Sequence, residues 1–173
     1  MVTRETARLL LRPPTVADLD PFVEIHEDPE VVRYLSGIGQ STGRVASWRL
    51  LALLIGHWHL RGYGQWTIIE KATGEIIGRV GLWHPEGWPG PELGWVIRRS
   101  RWDNGFATEA ARAAADFAFA EIGVDRIISM IQPDNPRSIR VAIKIGETFS
   151  EAQHFNGQDL HVYAMQKPGR GAT

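Results

Sequence analysis

Three groups of residues in this sequence have types and spacings that suit chemistry. The first lies in "RRSRWDNGFATEA", Arg98 to Ala110, where three arginines and a glycine precede an alanine-rich helical pattern. The first N–H groups of a helix lack intrahelical partners and carry partial positive charge, and glycine allows close approach of a ligand, so such a turn can hold an anion. A basic, solvated turn has the same composition, and each arginine reads equally well as its rim. The second group is Glu92 in "GPELGW". Pressed among Trp88, Trp95 and aliphatic neighbours, its acid form would be favoured by desolvation, which suits a proton acceptor working through a water; an acid at a strand edge facing solvent gives the same letters. The third is "NPRS", where Asn135 reads as the cap of a short helix that starts at Pro136 and has Ser138 in its first turn. Arg140 and Lys144 follow on that helix, to meet an anion or to decorate an exposed face.

Other chemistries find no support. There is no cysteine, hence no disulfide framework, thiolate metal site or cysteine nucleophile. No His/Asp/Glu spacing resembles a metal site, no Gly-x-Ser-x-Gly turn occurs, and the glycine turn lacks the Lys-Ser/Thr pair of a nucleotide phosphate loop, so no metal is expected. With 19 Lys+Arg against 20 Asp+Glu, no global field points to nucleic acid or an anionic membrane. The apolar run in "MVTRETARLLLRPP" is too short for a signal peptide and no segment is long enough to span a bilayer, so a cytoplasmic location is expected. Seven tryptophans are many for one core, since each indole N–H needs a partner, and some are expected to line a groove.

The elements that must position these groups can be read along the 173 residues, which suit a single domain over 1–168 with a frayed tail at 169–173. "ARLLLRPPT" is a strand stopped by Pro13 and Pro14. A helix follows, capped by Thr15 with Asp18 in capping-box position, and a short helical piece begins after Pro29. Between Ser41 and Arg61 the apolar spacing predicts an amphipathic helix with Val45, Trp48, Leu51, Leu54, Ile55 and Trp58 on its inner side. "QWTIIEKATGEIIGRVGLWH" reads as a hairpin, "ELGWVIRR" as a strand, and the helix from about Gly105 to Ile122 as a crossover to the parallel strand "DRIISMIQ". The helix in "NPRSIRVAIKIG" and a final hairpin around an Asn-Gly turn complete the order. Ligand is expected at the carboxyl ends of the parallel strands.

That order, together with "LRPPTVADLDPFVEIHEDPEVVRYL", "TGEIIGRVGL", "ELGWVIRRSRWDNGFATEAARAAADFAF" and "PDNPRSIRVAIKIG", resembles the GNAT superfamily of acyl-CoA-dependent N-acyltransferases across essentially the whole chain, and its Rim-type branch in particular. That branch includes enzymes acetylating the N-terminal residue of ribosomal proteins. The superfamily's phosphate-loop pattern falls on Trp102, Asp103, Asn104, Gly105, Phe106 and Ala107; Gly105 and Ala107 match it, while Trp102 stands where the broad pattern has Arg or Gln. The resemblance implies an α+β fold, a mixed central sheet of six to seven strands flanked by about four helices. It also implies a cradle for the pyrophosphate of acetyl-CoA at Asn104 to Thr108, with Arg98, Arg99 or Arg101 as replacement donors and Lys144 as a further coenzyme contact. A bulged strand at Trp95, Val96, Ile97 and Arg98 is implied to bind the pantetheine arm, with the Val96 N–H on the acetyl carbonyl. Asn135 is then a coenzyme contact, Ser138 the acid for the leaving thiolate, and Glu92 the base. The implied activity is acetyl transfer to a primary amine of a small molecule or peptide. Members of the superfamily often pair, which makes a homodimer one of the implied partners. The competing reading is a non-catalytic acyl-CoA-binding regulatory module.

Overall fold

A computed structural model describes residues 2–35 and 42–169. The chain opens with β1 (Arg4–Glu5) and β2 (Leu9–Arg12), which pair antiparallel. Pro13 and Pro14 follow β2 directly, and prolines have no N–H to extend a ladder. The chain then turns through Val16–Asp18 into α1 (Leu19–Glu27). The expected capping box forms, the Thr15 N–H donating to Asp18 at 3.0 Å. Asp18 is fully buried and also accepts from Arg12 at 2.8 Å and from the Thr67 hydroxyl at 2.7 Å. Burial pushes its pKa up, but these hydrogen bonds outweigh that and hold it below the usual carboxylate range.

After α2 (Pro29–Val32), capped by the Asp28 side chain, comes α3 (Arg44–Arg61), which stops at Gly62 in the left-handed conformation (φ 76°). The hairpin β3 (Gln65–Glu70) and β4 (Ile76–Trp83) leads to β5 (Glu92–Ile97). Then come α4 (Phe106–Phe117), β6 (Arg126–Ile131), α5 (Pro136–Ile145), β7 (Thr148–Phe155) and β8 (Gln158–Gln166). The last two strands meet at Asn156 and Gly157, both at positive φ (49° and 77°), as the Asn-Gly turn demands.

One sheet results, in the spatial order β1-β2-β3-β4-β5-β6-β8-β7. Its neighbours are antiparallel except β5 and β6, which are parallel and joined by α4 as expected. The two-residue β1 makes eight strands where six to seven were expected, and α2 makes five α-helices where about four were. The alanines of α4, Ala110, Ala111, Ala114 and Ala115, let that helix lie close on Leu11, Ile68, Leu82, Leu93 and Ile127. On α3 the inner side is Ser47, Leu50, Leu51, Leu54, His57 and Trp58: Leu51, Leu54 and Trp58 are buried as predicted, but Ile55 is only half-buried and Val45 and Trp48 are 67% and 54% exposed, so the helix is rotated from the predicted side. Leu50, Leu51 and Leu54 meet Phe22 of α1, and that contact sets the helix's rotation. The core tryptophans are satisfied: Trp58 donates to the Gln65 carbonyl at 2.8 Å and Trp66 to that of Val2 at 2.7 Å.

Candidate active site

The site starts where β5 and β6 part. They share one bridging pair, Glu92 with Ile128, and the Ile128 N–H donates to the Pro91 carbonyl at 3.0 Å. The ladder from β5 to β4, in contrast, runs unbroken from Gly78–Ile97 to Trp83–Glu92. The expected bulge at Trp95 to Arg98 is therefore absent, and free backbone comes from the parting of the strands instead. Hydrogen-bond alternation decides which groups are free. The Arg98 N–H donates to Ile77 of β4 at 2.7 Å, so Val96, two residues earlier, also points its N–H at β4. Leu93 and Ile97 have the opposite phase: their carbonyls accept from Ser129 at 2.8 Å and from the Trp102 indole at 2.7 Å. The N–H groups facing the gap thus belong to Trp95 and Ile97, and Val96 is not the donor the resemblance implied. Gly78 is required opposite, because a side chain there would collide with the Val96 carbonyl.

A cavity of about 310 Å³ opens at this gap. Trp95, Val96 and Ile97 form its floor, Arg101, Trp102, Asp103, Gly105, Phe106, Ala107 and Thr108 one wall, and Asn135, Ser138 and Lys144 the other. Gly105 is the N-cap of α4 in the left-handed conformation (φ 79°), and no side chain caps the helix, so the N–H groups of its first turn stay free. Asp103 is also left-handed (φ 60°), uncommon for a residue with a side chain, and curls the turn around the cavity. Across it, the Asn135 side-chain oxygen accepts from the Ser138 N–H at 3.2 Å and the Asn135 amide donates to the Ser138 hydroxyl at 3.1 Å. Since that hydroxyl accepts from Asn135, its own proton remains available to the cavity.

Other sequence-predicted residues lie elsewhere. Arg98 turns to the opposite side and pairs with Glu24 of α1 at 2.8 Å. Asn104 folds its side chain onto the Trp102 carbonyl at 2.8 Å and does not line the cavity. Arg101 does line it, yet two carboxylates, Glu70 and Glu75, hold its guanidinium at 2.9 Å each. Glu109, in the first turn of α4, grips the N-terminal segment, accepting from Thr6 at 2.6 Å and from Arg8 at 2.7 Å. Beside Arg33, which follows α2, two cavity-lining cations fall outside the set the resemblance implied, Arg137 and Arg140. Their spacing with Lys144, three and then four residues, marks one side of a helix and was the signal available. The Arg137 guanidinium lies over the Trp102 ring at 4.5 Å. Tyr34 and Leu35 also line the cavity, brought from far along the chain by α2.

Glu92 sits at the other end of β5 and does not line this cavity. The Trp88 indole donates to it at 2.7 Å, and the Met130 N–H, which β5 no longer reaches, donates to it as well. Burial raises its pKa from the ordinary 4.5 to about 7, against the lowering effect of those donors and of Arg79. Trp88 packs edge-on against Phe155 of β7 and against Trp83, giving Glu92 an aromatic surround. His154 is exposed and paired with Asp159 at 2.7 Å, and His161 packs on Phe149. Among the described residues no group of three or more His, Cys, Asp or Glu is arranged to hold a metal ion, and no helix is long and apolar enough to cross a membrane.

Residues 8–148 match the family model of the acetyltransferase (GNAT) domain. The chain belongs to the GNAT acetyltransferase family. A Bacillus licheniformis relative named as the N-acetyltransferase p20 is 33% identical over 143 residues, 82% of this chain and 79% of that one. The acetyltransferase from Agrobacterium tumefaciens str. C58 is 32% identical with a TM-score of 0.84, covering 96% of this chain and 95% of that one. The ribosomal L7/L12 α-N-protein acetyltransferase RimL, solved in complex with coenzyme A, shares the fold at 18% identity and a TM-score of 0.77, over 93% of this chain and 95% of that one. This GNAT domain is an acyl-CoA-dependent acetyltransferase.

Proposed function

We propose that the chain moves acetyl from acetyl-CoA directly to a primary amine of a peptide N-terminus or small molecule, in an ordered ternary complex without a covalent enzyme intermediate. The observation that carries this reading is the uncapped start of α4 at Gly105, which opens into the same cavity as the free N–H groups of β5 and the cationic side of α5. The first-turn N–H groups of Phe106, Ala107 and Thr108 hold the pyrophosphate, with Arg140 and Lys144 adding charge. The Trp95 and Ile97 N–H groups take the pantetheine arm, one of them polarising the thioester carbonyl. As the amine nitrogen bonds to the carbonyl carbon and the C–S bond breaks, Ser138 gives its proton to the departing thiolate, and Glu92 receives the amine's proton through a water.

Three loop segments are read as choosing the acceptor, and two of them, "HPEGWPGP" and the hairpin around His154 to Asp159, meet at Glu92 through the contact of Trp88 with Phe155. The third, "LSGIGQSTGR", has residues 36–41 outside the described residues. A base whose pKa is about 7 suits a peptide α-amine, which titrates at about 7.7–8.0 in water, better than a lysine side chain at about 10.4. The test is thiol release from acetyl-CoA against a panel of amines that includes short peptides. We expect release with low-pKa α-amines; acetyl-CoA binding without release for any amine contradicts this reading.

A further inference from the structure

Glu147 is buried, 2% exposed, and the acetyl-transfer steps have no use for it. It follows Gly146, whose left-handed conformation (φ 102°) turns the chain from α5 toward β7. Its Oε1 lies 2.9 Å from the hydroxyl of Ser129, itself 2% exposed, and that hydroxyl lies 2.8 Å from the Leu93 carbonyl. Hydrogens can be counted here. A serine hydroxyl has one proton, and it stands between a carbonyl and a carboxyl oxygen, two acceptors. If Glu147 were ionised, Ser129 could satisfy only one of them, and the other Glu147 oxygen, Oε2, would be a buried charge without a partner. If Glu147 is protonated, its O–H donates to Ser129 and Ser129 donates to Leu93, so every proton has an acceptor.

We propose that Glu147 is a positioning residue that works as a neutral acid: its proton completes a chain Glu147–Ser129–Leu93 that ties the end of α5, the helix bearing Ser138, to β5 beside Glu92. This rests on the acetyl-transfer reading for its consequence, though not for the protonation itself. Loss of the proton turns the Ser129 hydroxyl toward Glu147, releases the Leu93 carbonyl, and puts a second anion near Glu92. The charged and titratable groups around it are few. Glu92 approaches from β5, and Tyr163 of β8 stands opposite Ser129 in the ladder. Arg126 of β6 is turned to Ser150 at 3.3 Å, and Arg112 of α4 donates to the Lys144 carbonyl at 2.7 Å. Among the described residues no arginine or lysine pairs with Glu147, and burial, helped by the Glu92 charge, pushes its pKa up to about 8 against the lowering effect of the Ser129 hydrogen bond. The proton is therefore held at neutral pH and lost in mildly basic solution.

Two measurements test this. In carboxyl-labelled protein followed by ¹³C NMR, with no substrate present, the Glu147 resonance, identified by its absence in Glu147→Gln, is expected to titrate near pH 8; titration in the ordinary glutamate range overturns the proposal. In turnover, the glutamine of the Glu147→Gln variant retains an N–H for Ser129 but has no proton to lose. With the same acceptor for both proteins, the ratio of Glu147→Gln to wild-type turnover should rise roughly threefold or more between pH 7 and 9, because one unit above a pKa only about a tenth of an acid remains protonated. A flat ratio with the NMR result intact removes the positioning role and leaves acetyl transfer standing. Failure of thiol release with every amine sinks the acetyl-transfer reading while the NMR titration still decides the proton.

Discussion

The two ends of β5 treat their polar groups in opposite ways. At the carboxyl end, Trp95 and Ile97 turn N–H groups into an open cavity, the first turn of α4 goes uncapped, and three cations line one side of α5. At the amino end, Glu92, Ser129 and Glu147 sit where nearly every donor and acceptor has a partner inside the protein. The open end is built to take its partners from a ligand. The sealed end, where Glu92 alone keeps part of its surface open to the acceptor, fixes its own protonation, because burial raises the cost of every charge placed there. A backbone-lined cradle should tolerate side-chain changes that keep its shape, whereas a single proton added or lost should be felt at the sealed end.

The largest expected effect separates the two ends. Glu92→Gln removes the base but leaves the cavity, so turnover at neutral pH should fall about 10²–10⁴-fold, the usual contribution of a general base, with acetyl-CoA affinity little changed. The comparison is best made with Glu147→Gln in both proteins, so that one acid titrates at a time. Since higher pH supplies free amine unaided, the deficit should shrink toward the acceptor's own pKa, and a deficit independent of pH would remove the base assignment. Ser138→Ala should likewise lower turnover far more than affinity; equal losses would make Ser138 only the partner of Asn135 at the helix cap.

At the open end the largest change should come from Gly105→Val. An alanine-sized Cβ there meets only Arg8 at 3.5 Å, so space is not the obstacle. A β-branched residue is strained at φ 79° and would reshape the start of α4, and calorimetry should find acetyl-CoA affinity reduced roughly tenfold or more in a folded protein. A smaller effect concerns stability. The folded-state pKa of Glu147, about 8, lies above its ordinary 4.5, so the folded protein holds a proton the unfolded chain has released. Stability should therefore fall as pH rises from the ordinary value through about 8 and then level off. Glu147→Gln should flatten that decline, with a higher Tm than wild type in basic buffer; an equal slope in both proteins would contradict it. The smallest effect belongs to the exposed cations. Arg140→Ala or Lys144→Ala should each weaken acetyl-CoA binding only a few-fold, and less at high salt.

The open end was more legible in the sequence than the sealed one, and the reason is physical. A glycine before an alanine-rich helix, Asn-Pro before a second helix, and cations at helical spacing act through local geometry that a few neighbouring letters fix. The same holds for the proline stop after β2, the Thr15–Asp18 capping box and the Asn156–Gly157 turn. Directions set by distant partners were not legible. Arg98 belongs to the basic turn by its letters, yet Glu24 draws it to the other side of the sheet. Val96 and its neighbours could not be assigned N–H directions until the ladder phase was known. The rotation of α3, which exposes Val45 and Trp48, follows from its contact with Phe22 of α1. Glu147 looks like an ordinary polar residue after a helix-ending glycine, and only the fold places it against Ser129.

The claim that coenzyme binding and deprotonation of the amine occupy opposite ends of β5 is tested most directly by a crystal structure with coenzyme A. The pyrophosphate is expected within about 3 Å of the first-turn N–H groups of α4, the pantetheine along the Trp95 and Ile97 N–H groups, the sulfur beside Ser138, and no part of the coenzyme in contact with Glu92. Coenzyme A bound away from Gly105, or with its pantetheine lying against Glu92, would contradict it.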